Sequence, residues 1–225
     1  MNWHQAETAK SVEGRNIVLF LSHPDVKQSL DTLILGAFHG DEPESAQLTE
    51  AFLTGIAPEG IPVGVVPVVN PDGLFKGQRT NAHGVDLNRN FPTNDWVEQE
   101  QATPYYSGPT AGSEPETRFI LELLDCYTPK KIISVHTPYK VINYDGPALA
   151  LAQALSKIIG YPITEDIGYA TPGSFGTYCG KERNMAVLTL ELPEEGFDQT
   201  ELNRNLEGLV AAINFPSPPR EESNR

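Results

Sequence analysis

The sequence predicts a single α/β domain with a mixed, mostly parallel sheet and helices on both of its faces. Short apolar runs, typical of buried strands, alternate with stretches of helical periodicity along most of the 225 residues. A hydrophobic content of 39% at this length is enough for one sizeable core, and no internal repeat or linker divides the chain. We assign the domain to residues 1–215 and expect the polar residues 216–225 to form a disordered tail.

In the first half of the chain, apolar runs predict the strands, and apolar residues at helical spacing predict a helix between a proline start and a glycine stop. The second strand leads into a loop that begins at His39. An Asn-Pro-Asp-Gly sequence predicts a turn after the third strand. In chain order, the expected elements are strands at 16–21 and 32–38, a helix at 42–53, a strand at 63–69 and a turn at 70–73.

Residues 74–113 show little periodicity and are rich in Asn, Gly, Pro and aromatic residues. An irregular segment of this length inside a compact domain is usually functional. Regular structure returns at Ser113, where a capping pattern with a proline just inside predicts a helix start. The expected elements that follow are a helix at 114–127, strands at 131–135 and 141–144, a helix at 147–159, a strand at 186–192 and a helix at 202–213.

The composition limits the partners and the compartment. A net charge of −14 and a pI near 4.7 argue against nucleic acid and anionic membranes as partners, because both require basic patches. Residues 1–15 contain no apolar core of a signal peptide, and no run reaches membrane-spanning length. Cys126 and Cys179 are far apart in sequence, so no disulfide framework is expected. We therefore expect a cytoplasmic protein, whose oligomeric state the sequence does not indicate.

Three side chains at predicted strand ends suggest a metal site. His39 and Glu42 follow the second strand with a spacing of three residues, and His136 directly follows the strand at 131–135. Two imidazole nitrogens and one carboxylate oxygen, with a fourth position open, form a ligand set of catalytic zinc sites. The alternatives are that Glu42 belongs to a helix start and that His136 is a hydrogen-bonded core histidine.

Five motifs support the catalytic alternative by their type and order: His39-Gly-Asp-Glu42, Asn70-Pro-Asp-Gly73, Gly84-Val-Asp-Leu-Asn-Arg-Asn-Phe-Pro92, His136 and Thr189-Leu-Glu191. Together they resemble the zinc carboxypeptidase family of the carboxypeptidase A type. The short chain and two further segments, at 112–117 and 168–176, resemble the bacterial murein tripeptide amidases within that family. The residues that follow His136, Gly176 and Glu191 differ from the amidase pattern.

The resemblance implies a compact zinc carboxypeptidase-like fold with one zinc ion per chain, bound by His39, Glu42 and His136. It also implies metal-assisted hydrolysis of the γ-D-glutamyl–meso-diaminopimelate bond of murein tripeptide, a small peptide from cell-wall recycling. The other roles implied are Glu191 as general base, Arg79 as oxyanion stabiliser, Asp86 as the carboxylate that orients a zinc histidine, Asn88 and Arg89 as a clamp for a substrate carboxylate, Tyr169 as a closing tyrosine, and Ser174 and Phe175 as specificity-pocket residues.

The residues themselves leave some of these roles open. Glu191 lies late in an apolar strand, where a carboxylate is costly unless it has a role, but an outward-facing strand residue is the alternative. For Tyr169 the alternative is simple loop packing. Lys181 or Arg183 is a candidate contact for the distal carboxylate of diaminopimelate, although both residues fit a solvated turn equally well.

Three other functions fit parts of the pattern. The first is a zinc carboxypeptidase of different specificity. The second is an acyl-amino-acid deacylase of the aspartoacylase or succinylglutamate desuccinylase type, which shares the His-x-x-Glu site but is not expected to carry the segments at 84–92 and 112–117. The third is a zinc-dependent peptide-binding module without catalysis, which would be marked by loss of the base, whereas Glu191 is present.

Overall fold

A computed structural model describes residues 3–26 and 29–217. Its elements, in chain order, are β1 (His4–Lys10), β2 (Asn16–Leu21), β3 (Thr32–Leu35), α1 (Pro43–Gly55), β4 (Val63–Val66), α2 (Pro71–Lys76), α3 (Pro115–Tyr127), β5 (Lys131–His136), β6 (Ile142–Asp145), α4 (Leu149–Ile159), β7 (Ile163–Thr164), β8 (Ala186–Glu191) and α5 (Gln199–Asn214). A 3-10 turn at Leu87–Arg89 and a π-helical turn at Thr177–Lys181 complete them.

The strands form one mixed sheet of eight strands in the order β1-β2-β4-β3-β5-β8-β6-β7. β3 pairs in parallel with β4 and β5, and β5 pairs in parallel with β8. The outer strands β1, β2 and β6 contribute the antiparallel pairs. This is the predicted single-domain α/β fold with a mixed sheet.

Successive residues of a strand point to opposite faces of the sheet, so apolar residues on both faces need covering. Helices cover both faces. Ile132 of β5 packs in the cluster that contains α3, whereas its neighbour Ile133 packs in the cluster that contains α1, α4 and α5. The central strands β3, β4 and β5 are buried along their whole length. Two cores, one on each face, therefore support the middle of the sheet.

The topology brings three predicted site residues to one edge. β3, β5 and β8 are neighbours and run parallel, so their carboxyl ends lie side by side. His136, the last residue of β5, pairs in register with Glu191, the last residue of β8. The loop after β3 carries His39 and Glu42 to the same edge. This is the position at which open α/β sheets bind ligands.

Several elements differ from the sequence prediction. The strand predicted at 32–38 ends at Leu35, because the backbone turns at Gly36 and Ala37 adopts a φ of 48°. The predicted turn at 70–73 is the start of helix α2, which Asn70 caps by accepting a hydrogen bond from the Gly73 N–H. Edge strand β1 was not predicted, and it pairs antiparallel with β2.

In the predicted tail, residues 218–225 lie outside the described residues, and Ser217 before them donates its hydroxyl hydrogen bond to Asp31. Within the described part of the chain, no helix is both long and apolar enough to cross a membrane. Cys126 and Cys179 are both free cysteines.

Lys131 is a buried cation that joins the sheet to the last helix. Its side chain is fully buried, and its ammonium donates hydrogen bonds to the carbonyls of Ala212 and Ile213 at 3.0 and 3.1 Å. Its Nζ also lies 3.3 Å from the Asp31 carboxylate. Because the last carbonyls of a helix have no partner within the helix, this ammonium satisfies the carboxyl end of α5.

We predict that Lys131→Met lowers the free energy of unfolding by about 2–4 kcal/mol, because the helix carbonyls and Asp31 lose their partner in a buried place. Urea unfolding followed by circular dichroism measures the change. The neighbouring Lys130 is exposed, so Lys130→Met is the matched control and should shift stability by less than about 0.5 kcal/mol. Equal effects of the two variants would contradict this role for Lys131.

Candidate functional site

Glu42 lies between the two histidines that come from neighbouring strands. Its Oε1 is 2.6 Å from Nδ1 of His39, and its Oε2 is 3.1 Å from Nδ1 of His136. The backbone N–H of Thr137 also donates to Oε2 at 3.2 Å. All three side chains are buried. The predicted ligand set is therefore brought together in the structure, with both Nδ1 atoms facing one carboxylate.

Close packing of the loop after β3 fixes this arrangement. A Cβ on Gly40 would lie 1.9 Å from the carbonyl carbon of Gly73, so only glycine fits between His39 and the first turn of α2. On the other side, the ring of Phe38 stacks on His136 at 5.6 Å between centroids, with an angle of 9° between the planes. In the sequence His39-Gly40, the histidine thus supplies the candidate metal ligand and the glycine allows the close packing of the loop.

Asp86 lies behind His39. Its Oδ1 is 3.0 Å from Nε2 of His39 and accepts the backbone N–H of Asn88 at 2.9 Å. Its Oδ2 accepts two hydrogen bonds from Arg79, from Nε at 3.0 Å and from Nη2 at 2.9 Å. Asp86 is fully buried. A carboxylate on the second nitrogen fixes the ring orientation and tautomer of a histidine whose first nitrogen faces a ligand site.

The buried charges shift one another's pKa values. Burial alone would lower the pKa of His39, but the carboxylates of Glu42 and Asp86 raise it to about 9. Burial would raise the pKa of Glu42, but the two histidines hold it well below its usual range. Burial lowers the pKa of His136. Glu42 is therefore ionised at neutral pH and His136 is neutral, which are the forms that bind a metal, whereas His39 is protonated and releases its proton when a metal binds.

Glu191 is a buried carboxylate without a cationic partner. Its side chain is 6% exposed, and its Oε2 has no hydrogen-bond partner among the described residues. Burial, together with the negative charge of Glu42, raises the pKa of Glu191 to about 8, although the backbone N–H of Tyr139 opposes this shift. A carboxylate with a pKa near neutrality is suited to accept and return a proton.

The residues fit a zinc ion. One ligand atom each from His39, Glu42 and His136 lie within 4.8 Å of one another. Ligands about 2.0–2.2 Å from a tetrahedral ion are roughly 3–4 Å apart, so small side-chain movements suffice. The unpartnered Oε2 of Glu191 is a further sign that the site is built around a group besides these side chains.

A second cluster beside this site carries the positive charge. The side-chain oxygen of Asn88 accepts the backbone N–H of Phe175 at 2.9 Å, so its amide N–H groups remain as donors. Arg89 is only 4% exposed and donates to the Asn88 carbonyl at 2.6 Å. The ring of Tyr105 lies 5.3 Å from the guanidinium of Arg79 and 5.8 Å from that of Arg89. Guanidinium and amide N–H groups are the donors that proteins use to bind carboxylates.

Both clusters open into one cleft of about 500 Å³. Tyr169, which is 45% exposed, stands on its rim. Burial, followed by a hydrogen bond with Tyr139, raises the pKa of Tyr169 to about 12. Ser174 lies deeper and donates its hydroxyl hydrogen bond to Thr177 at 3.0 Å. The cleft thus contains the predicted metal ligands, the base and the clamp in a single space.

The family model described as zinc carboxypeptidase matches residues 3–150. The chain belongs to the zinc carboxypeptidase family. Murein peptide amidase A from Vibrio campbellii is 34% identical over 216 residues, which cover 91% of this chain and 85% of the relative. Murein peptide amidase A from Escherichia coli is 36% identical over 178 residues, or 74% of this chain and 73% of the relative.

Solved structures agree with this membership of the zinc carboxypeptidase family. The crystal structure of murein-tripeptide amidase from Escherichia coli matches with a TM-score of 0.79 and 29% identity, over 96% of this chain and 94% of the other. Carboxypeptidase A from Helicoverpa armigera shares the fold, with a TM-score of 0.75 at 20% identity, over 94% of this chain and 69% of the other. This zinc carboxypeptidase family member is a hydrolytic enzyme.

The structure does not place Phe175 in the specificity pocket for which the sequence predicted it. The side chain of Phe175 is 1% exposed and packs against Phe38 and Phe91 in the core. It does not line the cleft, so its side chain cannot contact a ligand there, and only its backbone holds Asn88. Its place within an apolar cluster explains this, since three aromatic rings pack together behind the loop.

The structure adds cleft residues that the sequence did not single out. Tyr105 lies in the irregular segment, where no spacing relates it to Arg79 and Arg89. Asp145 ends the short strand β6, and in the sequence it resembles any acidic residue before a glycine turn. Asp86 is fully buried behind His39 and does not line the cleft. The other sequence-predicted residues do, namely His39, Glu42, Arg79, Asn88, Arg89, His136, Tyr169, Ser174 and Glu191.

The raised pKa of Glu191 predicts a pH-dependent stability in the metal-free zinc carboxypeptidase. Between its ordinary value of 4.5 and about 8, Glu191 deprotonates in the unfolded chain but not in the folded one. Stability contributed by its protonation is therefore complete below pH 4.5 and lost as pH rises to about 8. The variant Glu191→Gln does not titrate, so its advantage over wild type should grow across this range by up to a few kcal/mol and then level off.

Urea unfolding of both metal-free proteins from pH 4.5 to 9 measures this difference. In the folded protein, Glu42 stays ionised and His39 stays protonated between pH 4.5 and 8, so Glu191 dominates the difference between the two proteins in this range. A difference in the free energy of unfolding that does not change with pH would contradict the buried, unpaired state of Glu191.

Proposed function

We propose that this enzyme hydrolyses the γ-D-glutamyl–meso-diaminopimelate amide bond of murein tripeptide during cell-wall peptide recycling. The observation that carries the proposal is that Asn88 and Arg89 share one cleft with the buried Glu191 and the candidate metal ligands, in a chain similar to murein peptide amidases. We further propose one zinc ion per chain, bound by His39, Glu42 and His136. A bound zinc ion supplies Lewis acidity, which polarises a carbonyl and acidifies water.

In the proposed mechanism, Glu191 moves the proton. Its Oε2 takes a proton from the attacking water and delivers it to the nitrogen of the leaving diaminopimelate. Arg79 stabilises the developing oxyanion. Asp86 occupies the Nε–Nη2 edge of this guanidinium, which leaves Nη1, 3.9 Å from Glu42, for the substrate. The salt link to Asp86 therefore both orients Arg79 and keeps it beside the reacting carbonyl.

The clamp selects the substrate by its free carboxylate. In the tripeptide, the diaminopimelate carboxylate next to the scissile bond is free to meet Arg89 and the amide of Asn88. In the tetrapeptide, that carboxylate is an amide linked to D-alanine. Arg89 is only 4% exposed, so a substrate with an amide in place of this carboxylate would leave a buried cation without a partner. Loss of a charged partner in a buried site lowers activity strongly.

Tyr169 and Tyr139 lie at the rim of the proposed site. Both rings are about half exposed, at 45% and 51%, and Tyr169 hydrogen-bonds Tyr139 across the opening. We propose that Tyr169 closes over bound peptide, which would exclude water from the space beside Glu191. A cytoplasmic place of action is part of the proposal and is supported by the free cysteines Cys126 and Cys179.

The proposal predicts that zinc-loaded protein releases free diaminopimelate from L-alanyl-γ-D-glutamyl-meso-diaminopimelate and acts at least about tenfold more slowly on the tetrapeptide that ends in D-alanine. Glu191→Gln should lower the rate at least ~10²-fold. Glu195→Gln is the matched control, because Glu195 is an exposed carboxylate just after the same strand. Chromatography of the products with wild type and both variants measures these rates.

Two results would refute the proposal. One is the absence of diaminopimelate release together with cleavage of ordinary carboxyl-terminal residues, which would indicate a carboxypeptidase of another specificity. The other is a Glu191→Gln variant that retains the wild-type rate, which would remove Glu191 from the mechanism.

A further inference from the structure

The floor of the cleft is a polar strip on one face of two antiparallel strands. Thr189 and Glu191 are two residues apart on β8, so their side chains share a face. Asn143 pairs in register with Thr189, and Asp145 follows two residues later on β6. All four residues line the cleft. The strip therefore leads from the base, Glu191, to a second carboxylate at its far end.

Asp145 is a buried carboxylate for which the proposed mechanism has no use. It is 8% exposed, and burial raises its pKa. Two glycines make room for Asp145. A Cβ on Gly176 would lie 2.4 Å from Oδ2 of Asp145, and a Cβ on Gly180 would lie 2.3 Å from Cβ of Asp145. The segment 176–180 thus wraps closely around this side chain.

The cation near Asp145 is Lys181, whose Nζ lies 3.5 Å from its Oδ1. The Lys181 side chain is 59% exposed, and it lines the cleft. Arg183 points elsewhere: its guanidinium lies 3.3 Å from the ring centroid of Tyr178 and donates to the Tyr178 carbonyl at 2.8 Å. The cleft therefore presents the Asp145 carboxylate and the Lys181 ammonium close together, and Glu165 and Asp166 add further negative charge to its lining.

We propose that Asp145 and Lys181 form a receptor for the zwitterionic distal end of diaminopimelate, with Asp145 binding its ammonium and Lys181 binding its carboxylate. This inference rests on the proposed function and names the residues that select the leaving group. A carboxylate alone would select the side chain of lysine or arginine. The added ammonium favours a group that carries both charges.

The distance along the strip fits this ligand. Asp145 pairs with Val187, four residues before Glu191, which places the two carboxylates about 13 Å apart along the strand at 3.3 Å per residue. In an extended conformation, the distal amine nitrogen and the distal carboxyl carbon of diaminopimelate each lie roughly 9 Å from the scissile carbonyl carbon of the glutamyl residue at ordinary bond lengths. Polar contacts of about 3 Å at each end bring its reach to a similar length.

The test uses three substrates of the form L-alanyl-γ-D-glutamyl-X, where X is meso-diaminopimelate, lysine or 2-aminopimelate. Lysine lacks the distal carboxylate, and 2-aminopimelate lacks the distal amine. With zinc-loaded wild type, we expect kcat/KM for diaminopimelate to exceed that for each analogue at least tenfold. Lys181→Met should lower kcat/KM for the two substrates with a distal carboxylate at least tenfold and change the lysine substrate less than threefold.

Asp145→Asn should lower kcat/KM for the two substrates with a distal amine at least tenfold and leave the 2-aminopimelate substrate within threefold. Arg183→Gln is the matched control from the same turn and should keep the wild-type order of substrates. Thermal unfolding and zinc content check that each variant is folded. If Asp145→Asn fails to fold, Lys181→Met still decides the inference, because Lys181 is exposed and its removal disturbs no packing.

The outcomes separate this inference from the proposed function. Release of diaminopimelate at similar rates by wild type and both pocket variants would overturn the inference and leave the function intact. If wild type cleaves none of the three substrates, the proposed function fails. Calorimetric binding of the uncleaved peptides then tests the receptor, which predicts at least tenfold tighter binding of the diaminopimelate peptide than of the lysine peptide. Equal or reversed affinities would overturn the inference.

Discussion

The structure depends on a buried carboxylate, Glu42, which is held between two histidines. A charge in this place is costly unless it is paired or hydrogen-bonded: His39 supplies the opposite charge at 2.6 Å, and His136 supplies a hydrogen bond at 3.1 Å. Asp86 holds His39 from behind and Arg79 holds Asp86, so the charges form a chain from the core to the cleft. A divalent cation bound by these ligands would take the place of the proton that His39 carries in the metal-free protein.

The sheet makes this chain of charges possible. Three parallel neighbours, β3, β5 and β8, end at one edge, and each end supplies a charged or ionisable group. Glu191 lies in register with His136, and burial, together with the negative charge of Glu42, raises its pKa. The long irregular segment then brings Asn88 and Arg89 beside this edge. The strands thus fix the position of the chemistry, and the loops determine what is bound.

Much of this could be predicted from the sequence, since the signals were local. Apolar runs that end on His39 and His136 indicate strands that deliver ligands to one edge, and a carboxylate in an apolar strand marks Glu191. Features that depend on packing between distant segments could not be predicted. Phe175 lies next to Ser174 in sequence, yet it faces the core. Asp145 is a pocket residue only because Gly176 and Gly180 approach it closely.

We propose that Asp86 pre-orients the metal site through His39. The most direct measurement is the zinc affinity of purified protein, by competition with a chromophoric chelator, for wild type and Asp86→Asn. Asp72→Asn is the control, since Asp72 is equally buried but pairs with Arg15. We predict that zinc affinity falls about 10–100-fold in Asp86→Asn and does not fall in the control. An affinity within twofold of wild type would contradict it.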